Sequence, residues 1–326
     1  MISQGSNLDG ASSIGRHETP MKRRARAFAL LGTWLVATCV WAGLAHGQMA
    51  DRAASAALRD RFAELRASPE SHSLAQSLYL RSRETPAMLQ GDIYALVDHP
   101  YGEVRRVLSR VNSWCSILIL HLNVKYCSAS SSGSPDTLRM GVGRKTDQPL
   151  ADAYWMRFVF DIARDSDEYL SVVLLAPDGP LSTRDYVIQV EAVPLEGRRS
   201  LVHVAYTYSY GMLARSAMDV YLATLGRAKV GFSVVGQEPE GGPIFVGGVR
   251  GVVERNTMRY YLAIDAYLGA YGLPAPQRSK KSLEDWFAAT ERHPRQLHEI
   301  GRSAYLEMKG REVRRQETEP APPRKD

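Results

Sequence analysis

From Leu138 to Met212, apolar side chains recur at every second position in one run after another, and this alternation constrains the fold more than any other feature. Leu138, Met140 and Val142 alternate with polar or glycine positions. Tyr154, Met156, Phe158, Phe160 and Ile162 share one face, opposed by Arg157 and Asp161. Tyr169 to Ala176 is nearly all apolar and is bounded by Asp165-Ser-Asp and Pro177-Asp-Gly. Tyr186, Ile188 and Val190 alternate with Val187, Gln189 and Glu191. Val202, Val204, Tyr206, Tyr208 and Tyr210 stand opposite His203, Thr207 and Ser209. A period of two is the signature of strands, because successive side chains point to opposite faces of a sheet. The Asp-Gly and Glu-Gly joints between the runs are hairpin signals. Antiparallel strands that each carry one apolar face make a curved sheet, and that face must be covered.

Two segments have the helical spacing to cover it. Leu213 to Leu225 is short and stops at Gly226, a residue suited to a helix C-terminus. Val249 to Tyr271 is longer, with Val253, Met258, Tyr261, Ile264 and Leu268 near one another at helical spacing. Between them, Lys229 to Val235 and Ile244 to Val246 flank Glu238-Pro-Glu-Gly-Gly242, which reads as another hairpin. Upstream, Ser77 to Arg83 and Met88 to Asp98 are strand-like around the turn at Glu84-Thr-Pro-Ala87, with Ile93, Ala95 and Val97 on one face. Pro100 suits the first turn of a helix whose stripe is Val104, Val107, Leu108 and Val111. Ser128 to Ser134 reads as a loop. Gln48 to Glu70 is helical in pattern, with Leu58, Phe62 and Leu65 recurring. Beyond Leu273-Pro-Ala-Pro276 the chain turns polar and helical, Trp286, Phe287 and Leu297 offering limited burial, and a charged, Pro-rich tail follows.

The front of the chain has another role. Met21-Lys-Arg-Arg-Ala-Arg26 is a cationic stretch, and Ala27 to Ala45 is a 19-residue run without a charge. Ala45-His46-Gly47 places small residues before Gln48 as a cleavage site requires, so residues 21–47 read as a secretory signal peptide. Uncut, the run at 27–45 is long enough to span a bilayer and would anchor the chain in the inner membrane. Residues 1–20 are polar and fit no part of such a signal, as expected of an over-called start with Met21 the true initiator. The expected location is the periplasm or another exported compartment. Without residues 1–47 and Cys39, two cysteines remain, Cys115 and Cys127. An even pair in an oxidising compartment favours a disulfide; a buried thiol pair, or a metal site using the intervening His121, are the other readings.

Composition closes off several classes. Hydrophobic residues make up 44% and charged residues 23%, near the globular averages, which excludes a disordered, collagen-like or multi-spanning membrane protein. The net charge is +6. Residues 1–47 hold five Lys/Arg and two acids, so the remainder carries 36 basic against 33 acidic groups, a net of +3. No basic face of the kind that reads nucleic acid is present.

The element order resembles that of the START-like (SRPBCC, helix-grip) superfamily. Gly91-Asp-Ile-Tyr-Ala-Leu-Val-Asp-His-Pro-Tyr-Gly-Glu-Val104 looks like its usual opening, a strand handing over to a helix at a proline. The chain is also similar to exported bacterial proteins with a Trp-Cys…Cys segment, here Trp114-Cys115…Cys127, and a Glu254-Arg-Asn-Thr-Met-Arg-Tyr-Tyr261 helix. The resemblance covers roughly residues 77–271. It implies an α+β fold in which a curved antiparallel sheet wraps a long C-terminal helix. Added helices precede it at 48–76 and follow it in a polar extension with a disordered tail at 272–326. It further implies a cavity between sheet and helix that holds a lipid or other apolar or amphipathic small molecule.

Within that frame the candidate ligand-binding residues are Tyr206, Tyr208, Tyr210, Phe158, Phe160 and Tyr261, with Arg255 as a cation at the cavity mouth. Tyr joins an apolar ring to a hydroxyl that can orient a ligand; the plainer account is that aromatic residues prefer strands. For Arg255 the plainer account is a solvated side chain beside an Arg250–Glu254 helix pair. Trp114 is expected to pack on the disulfide. Enzyme signatures are absent: no His-Glu-x-x-His, no Gly-x-Ser-x-Gly and no P-loop occurs, and no cofactor or metal is implied. The favoured reading is an exported, non-catalytic binding protein. Its rivals are a cyclase- or hydrolase-like enzyme using Asp98, His99 or His121, and an envelope interaction protein whose cavity is filled by its own side chains.

Overall fold

The alternating runs become strands of one antiparallel sheet. In chain order these are β1 (Ser73–Ala75), β2 (Leu78–Glu84), β3 (Met88–Val97), β4 (Val124–Ser130), β5 (Asp136–Val142), β6 (Tyr154–Asp165), β7 (Leu170–Asp178), β8 (Thr183–Leu195) and β9 (Arg199–Tyr210). The structure, a computed structural model, describes residues 47–68, 73–75, 77–211 and 229–321. The helix expected at 213–225, the uncharged run at 27–45 and the last residues of the tail lie outside them. The chain divides at Ala50/Asp51, and the fold described is that of the unit beginning at Asp51. No helix among the described residues is long and apolar enough to cross a membrane.

The sheet order among the described residues is β1-β2-β3-β9-β8-β7-β6-β5-β4. From β3 the chain passes through α2 (Tyr101–Leu108) and α3 (Val111–Leu118) to β4 at the far edge. Five successive hairpin connections then bring it back, so that β9 pairs with β3, Val204 opposite Ile93. The long helix α4 (Gly248–Ala270) lies against β2, β3 and β9. This is the helix-grip, START-like α+β architecture. The odd residues of β3 and the even residues of β9 face α4 in the main core, with Leu89, Ile93, Val202 and Val204 all buried. Contact between α4 and β3 is so close that a Cβ at Gly91 would overlap the Thr257 hydroxyl, so glycine is required there.

The outer face has its own cover. Helix α1, whose stretch in this unit is 51–67, sets Leu58, Phe62 and Leu65 on Tyr79, Tyr169, Val193 and Leu201. The Phe62 and Tyr79 rings meet edge to face at 5.5 Å, a favoured aromatic geometry.

Two readings of the sequence change. The stripe from Val104 to Val111 does not make one helix. Arg110 is extended between α2 and α3, and α3 was not anticipated at all. Val111, Ser113, Trp114, Cys115, Ile117 and Leu118 are all buried and only Asn112 and Ser116 reach the surface, so the polar face of α3 is too narrow to make its period visible. The C-terminal region is also not a lightly packed extension. Helices α5 (Ala275–Glu291), α6 (Pro294–Leu297) and α7 (Arg302–Thr318) send Leu283, Trp286, Phe287, Leu297, Tyr305 and Met308 into the main core. Trp286, 1% exposed, donates its indole N–H to the Arg259 carbonyl at 3.1 Å and stacks on Tyr305 at 5.0 Å. A few large side chains on narrow stripes bury well while leaving the average composition polar. The hairpin expected at 229–246 is present as β10 (Val234–Gln237) and β11 (Pro243–Phe245).

The disulfide joins Cys115 of α3 to Cys127 of β4, with Cα atoms 5.2 Å apart. Helix α7 closes over the same corner. Lys309 Nζ donates to the His121 and Val124 carbonyls at 3.2 and 2.6 Å, and Gln316 Oε1 accepts the Cys127 N–H at 3.0 Å. The open edge of β4 is thereby satisfied by a side chain.

Candidate ligand cavity

Because α4 crosses one side of the sheet, the curved strands beyond β9 leave space between themselves and the helix. A cavity of about 640 Å3 occupies it. Its strand wall carries Met140 and Val142 from β5, Met156 and Phe158 from β6, Tyr186 from β8, and Tyr206 and Tyr208 from β9. Val252, Asn256 and Tyr260 close it from α4. The remaining walls are connections: His121 and Asn123 before β4, Gly143, Arg144, Gln148 and Asp152 between β5 and β6, and Pro180, Leu181 and Thr183 at the start of β8. Strand alternation produces the apolar wall, because Met140, Met156, Phe158, Tyr206 and Tyr208 are all inward positions of their runs.

The tyrosines form a continuous aromatic surface. Tyr208 stacks on Tyr186 at 5.2 Å, Tyr186 meets Tyr206 at 6.1 Å, and Tyr206 meets Tyr260 at 5.1 Å. Tyr260 in turn stacks on His121 at 5.0 Å. Burial raises the Tyr206 hydroxyl well above the usual phenol range, and the neighbouring Tyr260 and Tyr186 add to it. Burial pushes Tyr186 up to about 12. These hydroxyls stay protonated at neutral pH and can donate. Thr183 donates its one hydroxyl proton to the Pro180 carbonyl, so it accepts from Tyr186 at 2.6 Å.

Two polar side chains in the wall have an unmet donor. His121 is 3% exposed, and its Nδ1 lies 3.1 Å from the backbone N–H of Asn123. Since that N–H can only donate, Nδ1 accepts and the proton sits on Nε2, which has no hydrogen-bond partner. Burial holds the imidazole well below its ordinary range, and Arg259, Lys309, Lys145 and Lys125 push it the same way, so it is neutral. Gln148 is 8% exposed and accepts the Arg144 N–H through Oε1 at 2.7 Å. This fixes the amide orientation and leaves Nε2 without a partner. The turns carrying the two residues are joined: Gly143 N–H donates to the Asn123 carbonyl at 2.7 Å, and Asn123 Nδ2 donates to the Gly143 carbonyl at 2.5 Å.

Of the residues singled out from sequence, Tyr206, Tyr208 and Phe158 line this cavity. The structure does not bring the other four to it. Phe160 is buried in the main core, one step further along β6. Tyr210 is buried and donates its hydroxyl to the Thr85 carbonyl at 2.9 Å. Tyr261 is also in the core, next to Tyr260, which takes the cavity-facing position on α4. Arg255 is 2% exposed and donates to the Val230 carbonyl at 3.1 Å rather than standing at a cavity mouth. Glu254 is not half of a solvated helix pair either. It is buried and accepts from the Phe232 N–H at 2.6 Å, the Ser233 N–H at 2.9 Å and the Ser82 hydroxyl at 2.5 Å, while Arg250 donates to Ser82 at 3.1 Å. The acid/base grouping of Asp98, His99 and His121 is not assembled. His99 pairs with Asp265 at 3.4 Å, His121 lies on Tyr260, and of these three only His121 lines the cavity.

Sequence reading missed Tyr186, Met140, Tyr260 and Gln148 as wall residues. Tyr186 and Met140 lay on the inward faces already assigned to their runs, so the same alternation identifies them. Choosing Tyr260 over Tyr261 requires knowing how α4 is rotated. Gln148 is in a turn with no pattern at all.

No family model matches the sequence, and no curated protein does. Several solved structures follow a similar chain course. The human StAR-related lipid transfer protein 5 is 12% identical, with 69% of this chain and 100% of that one covered at a TM-score of 0.37. A STAR-related lipid transfer protein fragment from Xanthomonas axonopodis is 13% identical, covering 61% and 97% at 0.35. The Zhui aromatase/cyclase from Streptomyces sp. R1128 is 14% identical, covering 43% and 86% at 0.30.

Proposed function

We propose that this chain is an exported binding protein that holds an apolar or amphipathic small molecule, of the lipid class, in the cavity between sheet and α4. The observation that carries the reading is the cavity itself: about 640 Å3, within the size range of ligand sites, with an aromatic and methionine wall and few polar groups. Side chains that could have filled this space leave it open, which weighs against an interaction protein with a filled core. Transfer of an apolar surface from water into such a wall is favourable by roughly 25 cal/mol per Å2 buried. Binding through burial requires no nucleophile or acid/base pair. Export is part of the proposal: the cationic and uncharged segments at 21–47 would direct it, and the Cys115–Cys127 disulfide suits an oxidising compartment.

Native mass spectrometry of the protein purified from its producing host tests the binding reading. A co-purified lipid-sized mass is expected, and Val252→Trp, which puts an indole into the cavity from α4, is expected to weaken retention at least about tenfold. A clean apo mass together with no uptake of any lipid in a panel would end it. Cell fractionation that finds the full-length chain only in the cytosol would remove the export part.

A further inference from the structure

His121 and Gln148 bring two donors without partners to the wall of the cavity, where Asp152 and Asn256 also stand. Each is more than nine-tenths buried, each has its acceptor atom engaged by a backbone N–H, and each keeps an N–H without a partner. Leaving a buried donor unsatisfied is costly, because the group has lost water and gained no partner. Two such donors on turns that are bonded to one another, in the wall of one cavity, are a built feature rather than a stray defect. The chemistry that answers them is specific. A hydroxyl brings its own proton and needs an acceptor, and an ammonium brings three donors and no acceptor. A carbonyl or carboxylate oxygen has two acceptor sites and no proton to place. Arg144 and Asp152 are the charged residues of the lining, and nearby Lys125 and Lys309 share Glu312 while Lys145 pairs with Glu299.

We propose that the ligand, on the reading that the cavity binds a small molecule, is an acyl compound whose sp2 oxygen accepts from His121 Nε2–H and Gln148 Nε2–H while its hydrocarbon body lies along the Tyr206–Tyr208–Phe158 wall. Free fatty acids and fatty acyl esters both present that oxygen. The neutral tautomer of His121 is fixed by the Asn123 N–H, and its neutrality is maintained by burial and the surrounding cations.

The test titrates the full chain with palmitic acid, methyl palmitate, hexadecane and hexadecylamine, reading displacement of 1-anilinonaphthalene-8-sulfonate. Palmitic acid or methyl palmitate should bind at least about tenfold more tightly than hexadecane and hexadecylamine, the scale of one well-made hydrogen bond. A preference for the acid over the ester identifies a free carboxylate as the source, and equal binding identifies an ester carbonyl. Gln148→Glu keeps the acceptor for the Arg144 N–H but replaces the free donor by a charge, and should invert the preference toward hexadecylamine. His121→Asn keeps a local acceptor for the Asn123 N–H while deleting Nε2, and should cut the palmitate-to-hexadecane ratio about tenfold. If all four probes bind alike, or neither variant shifts the ratios, the acyl inference fails while cavity binding stands. If no probe binds, the acyl inference fails, and native mass spectrometry with the wider lipid panel decides cavity binding separately.

Discussion

His203 sits on the outer face of β9 between two carboxylates, Glu191 at 2.6 Å on Nδ1 and Asp92 at 3.0 Å on Nε2, with Tyr94 stacked on its ring at 4.2 Å. Tyr169 donates to the same Glu191. Burial works against the imidazolium, but its hydrogen bonds to Asp92 and Glu191 and their charges outweigh burial and raise it to about 9. A folded value above the ordinary one means the stabilisation is complete below about pH 6.5 and is lost as pH rises through about 9. At about 1.4 kcal/mol per unit the effect reaches about 3 kcal/mol at most. Lys145 and Lys309, lowered to about 8 by burial, act in the opposite direction, adding stability between about pH 8 and 10.5. His121 and His293, held low by burial, add stability as pH rises through about 6.5, so the clean window is about 7.5 to 8. Urea midpoints should fall across it, and His203→Gln should flatten the slope; an NMR titration placing His203 below 7 contradicts this assignment. At the same scale, the disulfide closes a separation of 12 residues, for which the chain-entropy account gives about 3 kcal/mol. The double variant Cys115→Ser, Cys127→Ser should lose about that much. Detection of two free thiols in the unreduced protein would show that the bond does not form.

At the scale of elements, the contact between α4 and β3 is the one most exposed to a small change. Gly91 faces Thr257, whose hydroxyl already donates to the Val253 carbonyl at 2.8 Å. Gly91→Ala forces the helix off the sheet and should cost about 1–3 kcal/mol, the usual range for overpacking. Thr257→Ala in the same chain should recover part of the loss, because it removes the overlapping oxygen. Additive losses measured by chemical denaturation would show that the two positions do not touch. Strands were legible in the sequence because each buries one face and shows the other, which writes a period of two. α3 was not legible because only Asn112 and Ser116 of its eight residues reach the surface, and α5 and α7 were underread because their apolar residues are few. The cavity wall was legible where alternation assigns a face, as at Phe158, Tyr206 and Tyr208. It was illegible where a helix rotation or a turn decides, as at Tyr260 and Gln148.

For the whole molecule, the C-terminal helices complete the fold rather than extend it. Lys309 lies within a buried group in which Glu312 also meets Lys125 at 3.2 Å, and α7 thereby holds the α3–β4 corner that presents His121. Tyr305 reaches the same corner, donating to the Leu120 carbonyl at 2.8 Å. Removing the tryptophan that seats α5 and α7 on α4 tests this directly. Trp286→Ala should cost about 3–5 kcal/mol, as large core truncations do. A loss below about 1 kcal/mol, read from the unfolding midpoint, would return residues 275–318 to the status of an appendage.

The amino-acid order alone determined the class of fold and one apolar wall. A two-residue period, Asp-Gly and Glu-Gly turns and one long apolar-striped helix admit few arrangements other than a curved sheet with a helix across it, and the period also says which side of each strand faces inward. Local pattern could not determine which side of α4 meets the space, that Arg255 and Glu254 turn into the protein, or that His121 and Gln148 come together from turns 27 positions apart in the chain. Those outcomes depend on helix rotation and on the meeting of distant turns, where each side chain is set by neighbours remote in sequence. The polar end of the cavity was therefore decided only by the tertiary structure.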